Sequence, residues 1–140
     1  MSRFFLPLLI TLTLHFVYAV SYVDNGITDE YTVFIVSAVS NNPKPLRIHC
    51  QSGDDDLGFH DIKSGENFNW SFRLNLISST RYYCHFWWDS KEKSFDVFYY
   101  ETVALKCQRP GPFTCVWIVR PEGFYLSNGN ATWYKEYDWA

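Results

Sequence analysis

Three histidines, His49, His60 and His85, and a run of three carboxylates, Asp54, Asp55 and Asp56, have the widest chemical repertoire in this chain. Imidazole titrates near neutral pH and ligates zinc, and clustered carboxylate oxygens suit calcium. The spacing supports neither use. His49 and His85 each adjoin a cysteine, so in a strand they take the face opposite Cys50 and Cys84, which makes them surface or intersheet residues. The aspartate run lacks the alternate acidic ligands, central glycine and distal glutamate of a calcium loop. It reads as a solvated turn in which an Asp side chain caps turn amides and Gly58 supplies the bend. No Gly-x-Ser-x-Gly elbow or phosphate-cradling glycine loop occurs, and nothing marks a glutamate of raised pKa for glycoside hydrolysis. The expectation is a non-enzyme with no metal and no cofactor.

The aromatic residues offer a second chemistry. They form 20% of the chain and include Trp70, Trp87, Trp88, Trp117, Trp133 and Trp139. Exposed rings on a sheet can stack sugars, so a secreted carbohydrate-binding module is the alternative function. Phe68, Trp70 and Phe72 follow a period of two, as do Tyr82, Cys84, Phe86 and Trp88, which places each set on one buried strand face. Trp87, Trp133 and Trp139 remain as surface candidates.

The elements that position these residues all read as strands. Apolar alternation or β-branched and aromatic enrichment marks residues 31–39, 46–51, 58–62, 68–75, 80–88, 95–100, 114–119, 123–127 and 131–137. Between them lie turn signals: Ser-Asn-Asn-Pro-Lys-Pro after the first strand, the acidic segment 52–57, and Asn128-Gly129. The continuous run Val116-Trp117-Ile118-Val119 suits a central strand covered on both sides. No segment shows a helical period. Short strands at near-regular spacing predict one all-β domain, a two-sheet antiparallel β-sandwich of about eight strands. Its loops 52–57, 89–94 and 108–113 are the expected partner-binding segments, with Asp54, Asp55, Asp56, Lys91, Glu92, Lys93, Gln108 and Arg109 as candidate contacts.

Residues 1–19 place one basic residue, an apolar run and the small residues Val17 and Ala19 in the layout of a secretory signal peptide, leaving residues 20–140 as the mature domain. The run is too short for a spanning helix, so no stable membrane insertion is expected. Removal of residues 1–19, which hold Arg3 and no acid, leaves 121 residues with 11 basic and 15 acidic side chains, a net charge of −4. That balance argues against nucleic acid as a partner. Cys50, Cys84, Cys107 and Cys115 then read as two disulfides of an extracellular protein. Three connectivities are open. The preferred one joins Cys50 to Cys84 and Cys107 to Cys115, the latter closing the Gln-Arg-Pro-Gly-Pro loop. Two acceptor sequons begin at Asn69 and Asn130. Alternation that buries Trp70 puts Asn69 on the solvent face.

An ordered set of residues resembles the plant self-incompatibility S-protein homologue family: Leu57-Gly58, His60, Ile62, Gly65, Phe68-x-Trp70-x-Phe72, Asn75, Thr80, Cys84-x-Phe86-x-Trp88, Phe95-Asp96-Val97-Phe98, Cys107, Cys115-x-Trp117-x-Val119 and Gly123-x-Tyr125. The resemblance implies a secreted β-sandwich in which His60 makes a structural hydrogen bond. It also implies a diffusible extracellular ligand recognised by a cell-surface receptor, in some members during rejection of self pollen; the chain itself is expected to be a monomer. The histidine motifs of the secreted ribonucleases used by other plant mating systems are absent.

Overall fold

The computed structural model describes residues 30–75, 79–104, 106, 113–127 and 132–140. Among these residues nine strands form two sheets: β1 (Glu30–Ser37), β2 (Leu46–Gln51), β3 (Asp56–Ile62), β4 (Asn67–Arg73), β5 (Arg81–Trp88), β6 (Lys91–Tyr99), β7 (Thr114–Arg120), β8 (Gly123–Ser127) and β9 (Trp133–Tyr137). One sheet has the order β4-β1-β7-β8-β9 and the other β3-β2-β5-β6. The all-β, two-sheet expectation holds. The nine described strands fall on the nine segments marked in the sequence, and one detail changes: β1 runs parallel to β7 while every other described pair is antiparallel. Alternation fixes which face a strand buries and is blind to the direction of its neighbour, so the parallel pair left no mark on the pattern.

The core lies between the inner faces. From one sheet come Val33, Ile35, Trp117, Val119 and Phe124, and from the other Leu46, Ile48, Phe86, Val97 and Phe98, all essentially without solvent contact. Rings cross the gap: Tyr31 meets Phe98 at 5.0 Å, Phe86 meets Phe124 at 4.9 Å and Phe95 meets Trp117 at 5.0 Å between centroids. The Trp117 indole N–H also donates to the Val97 carbonyl at 2.9 Å, a polar tie between sheets at the centre of the core. Each fully buried ring of this kind contributes on the order of 2 to 3 kcal/mol. Trp70 is buried beside exposed Asn69, as the strand period requires.

Cys50 and Cys84 form a disulfide between paired residues of β2 and β5. It therefore ties two neighbours of one sheet together and does not cross the sandwich. Cys115 is fully buried on β7, and no described cysteine is free. Cys107 lies outside the described residues, as do residues 1–29, Gln108, Arg109, Asn130 and the Asn128-Gly129 turn.

The connection from β1 to β2 passes through a cis Asn42-Pro43 peptide. After β6 a short π-helical turn, Tyr100–Ala104, buries Val103 and Ala104. At the start of β8, Gly123 adopts φ 149°, and a Cβ there would strike the Tyr137 carbonyl oxygen and the Lys135 side chain. That crowding explains why glycine opens the strand.

Candidate functional site

Alternation on β3, β2, β5 and β6 turns a second set of side chains outward. Across the sheet they align in rows: Asp61, Arg47, Trp87 and Glu92, then Phe59, His49, His85 and Ser94. The rings cluster. His49 stacks on Phe59 at 4.2 Å, His85 on Trp87 at 3.9 Å, and Phe59 lies 5.8 Å from Trp87. The Arg47 guanidinium sits over Phe59 at 4.8 Å. Phe59 stays 55% exposed and Tyr83 37%, so apolar surface here faces solvent without a cover.

Carboxylate contacts frame the rings. His49 Nε2 contacts Asp56 Oδ1 at 2.6 Å and His85 Nε2 contacts Glu92 Oε2 at 3.3 Å. Arg81 donates to Asp96 at 2.8 Å, which holds its guanidinium pKa above the ordinary value, and Arg47 lies 4.0 Å from Asp61. Asp56 also accepts from the Gly58 amide at 2.9 Å, where Gly58 takes φ 79°. That amide bond, and then His49, pull the Asp56 carboxyl below its usual range. The two histidines are thus oriented surface residues, each held between a ring and a carboxylate.

The face runs into a cleft of about 710 Å³ at one end of the sandwich. Arg81 and Tyr83 belong to both. Asp54 and Asp55, at the tip of the β2–β3 hairpin, form one wall, and Arg73 lies on the lining as well. The Ser52 hydroxyl accepts from the Asp55 amide at 3.1 Å and shapes the tip. Beneath it, burial raises the Tyr82 phenol pKa, the hydrogen bond to Ser52 opposes that, and Asp55 and Asp54 add to it.

Measured against these positions, the loop expectation divides. Asp54 and Asp55 occupy a loop and border the cleft, whereas Asp56 begins β3. Lys91, Glu92 and Lys93 are strand residues of β6, because a two-residue turn, Asp89 and Ser90, closes the β5–β6 hairpin, with Asp89 at φ 54°. Lys91 and Lys93 reach Trp88 and Tyr137, and only Glu92 joins the outer face. Trp139 is no surface candidate. It is buried against Phe124 at 4.5 Å, with its N–H donated to the Arg120 carbonyl at 2.9 Å, and Trp133 is half-buried. Phe59, absent from the sequence-based candidates, faces outward by the same alternation that buries Ile62, and the register shift of β2 and β3 between His49 and Gln51 lets Leu57 on the far side of Gly58 pack against the core. His60 hydrogen-bonds the Leu57 carbonyl at 2.7 Å and stacks on Phe68 at 4.0 Å, the structural role expected of it.

Among the described residues no three His, Cys, Asp or Glu side chains gather as metal ligands, and no helix is long and apolar enough to cross a membrane. The geometry defines a β-sandwich with an exposed aromatic face and an adjoining polar cleft. The plant self-incompatibility protein S1 family profile matches residues 32–139, and the chain belongs to that family. It is 36% identical over 92 residues to S-protein homolog 5 of Arabidopsis thaliana, covering 66% of this chain and 67% of the relative. S-protein homolog 24 of the same plant is 34% identical over 106 residues, 74% of this chain and 67% of the relative. S-protein homolog 27 is 36% identical over 91 residues, 64% and 57% respectively. No solved structure matches the chain.

Proposed function

We propose that this chain is a secreted, monomeric, non-enzymatic signalling ligand that binds a cell-surface receptor protein through the β3-β2-β5-β6 face and its adjoining cleft. Family membership supports a signalling role related to self-incompatibility. The observation that carries the reading is continuity: Arg81 and Tyr83 join a solvent-facing cluster of exposed Phe59, half-buried Trp87 and Arg47 to a cleft edged by Asp54 and Asp55. Aromatic and arginine side chains dominate the energetics of protein interfaces, while charges at the rim steer encounter. A glycan-stacking role is the competitor, favoured by exposed Phe59. Against it, His49 and Arg47 already lie over the Phe59 ring and His85 over Trp87.

Binding kinetics of purified protein on receptor-bearing plant cells test the proposal. Replacing Asp54 and Asp55 with Asn should slow association, by a factor that shrinks at high salt, and leave the melting temperature unchanged. Retention on insoluble polysaccharide, abolished by Trp87→Ala, would instead establish the glycan reading.

A further inference from the structure

The opposite face of the sandwich holds a half-buried apolar surface that no described strand or helix covers. On β1 the inward residues Val33 and Ile35 are fully buried, so Phe34 and Val36 point outward. On β7 Cys115, Trp117 and Val119 are buried, so Val116 and Ile118 point outward. These four, with Tyr125 of β8, are half-buried and do not pack against the core, and of the five only Tyr125 has the Arg120 guanidinium over its ring, at 4.7 Å. No described strand or helix lies across them. The run Val116-Trp117-Ile118-Val119 thus lacks the second cover expected for it. Soluble monomers seldom leave such a patch bare.

Register supplies the cover. Asn69 pairs with Phe34, and Phe34 pairs with Val116, so the three stand in one row across β4, β1 and β7. Asn67, Val36, Ile118 and Tyr125 make the next row. Asn69 opens the acceptor sequon Asn69-Trp70-Ser71, is exposed, and sits on an edge strand. Directly opposed side chains on a sheet have Cβ atoms about 5 Å apart, and two strand spacings carry Asn69 to Val116 over roughly 10 Å. A substituent on the Asn69 amide therefore starts beside the Phe34 ring.

We propose that an N-linked glycan on Asn69 folds down over Phe34 and Val116 and is the missing cover of the five-stranded sheet. The inference rests on the secretory reading above. In the modification, the Asn69 Nδ2 attacks C1 of a lipid-linked oligosaccharide diphosphate. The C1–N bond forms, the lipid diphosphate leaves, and one amide proton is lost to the transferase base. Nδ2 keeps its second N–H. It already donates to Asn67 Oδ1 at 2.9 Å, and retention of that bond would hold the linkage over the sheet. The C–H edges of a pyranose then meet the electron-rich face of Phe34. Hydroxyls of the same sugars reach the Asn67 amide and the Thr32 and Ser71 hydroxyls, which are 2.8 Å apart at the rim.

The test uses full-length chain produced in a secreting plant cell line. Glycopeptide mass spectrometry should find Asn69 occupied. Enzymatic trimming of the purified glycoprotein to the asparagine, or Asn69→Gln, should raise binding of an anilinonaphthalene sulfonate dye and lower the melting temperature by about 4 °C, the shift one aromatic contact gives a domain of this size. In a Phe34→Thr background the same trimming should change neither. Secreted protein with Asn69 bare would overturn the proposal, as would trimming that leaves dye binding unchanged in the Phe34 protein. A glycosylated dimer by light scattering would show a second copy to be the cover. Retention inside the cell without glycan would instead overturn the secretory reading, and this proposal with it.

Discussion

Two buried tryptophans should respond oppositely to the same conservative change. The Trp117 N–H donates to Val97, whereas the Trp70 N–H is buried with no hydrogen-bond partner. Replacing either by Phe puts one six-membered ring where the fused indole stood, removes the N–H and leaves a cavity of about 40 Å³, a loss near 1 kcal/mol at ~24 cal/mol per Å³. At position 117 the change also orphans the Val97 carbonyl, adding roughly 1 to 3 kcal/mol. At position 70 it removes a donor that folding had stripped of water, so a term of about that size now favours the variant. Trp117→Phe should therefore destabilise by about 2 to 4 kcal/mol, and Trp70→Phe should be neutral or stabilising by about 1 kcal/mol. Guanidinium unfolding of both, with disulfides intact, decides. If Trp70→Phe costs as much as Trp117→Phe, the reasoning fails.

Replacing Cys50 and Cys84 together by Ala should cost about 4 kcal/mol for the 34-residue separation in the chain-entropy account, read as a lower unfolding midpoint. A loss under about 1 kcal/mol would contradict it. Gly123→Ala forces a Cβ onto the Tyr137 carbonyl and should lower stability by roughly 1 to 3 kcal/mol; an unchanged midpoint would show that β8 and β9 can separate freely. Asp56 should titrate below 3.8 in a carboxyl NMR titration. Because its folded pKa is depressed, its stabilising effect is complete above pH 3.8 and is lost as pH falls through the folded value. A midpoint above 3.8 would break the Gly58 and His49 arrangement.

Much of this molecule can be read directly from residue order. The period of two in β4 and β5 put Trp70, Tyr82 and Phe86 inside and Asn69 outside, because a pleated strand admits no other arrangement. Harder to read were features that depend on which strands meet. The parallel β1–β7 pair and the convergence of Arg47, Phe59 and Trp87 from three strands leave no local signal. Charged Lys91, Glu92 and Lys93 resemble loop residues and hide the tight turn at Asp89, although an edge strand favours such charges. Trp139 was misplaced for a related reason: charges at 135, 136 and 138 masked a ring that caps the core against Phe124.

The recognition face is tested most directly by saturable binding of fluorescently labelled protein to receptor-bearing plant cells. Phe59→Ser and Trp87→Ala would be compared with Tyr134→Ser, an exposed ring on β9 of the other sheet. The account predicts loss of at least about tenfold in affinity for the first two, as expected of interface anchors, with unchanged melting temperature and an unaffected Tyr134 variant. Full binding by both Phe59→Ser and Trp87→Ala would contradict it.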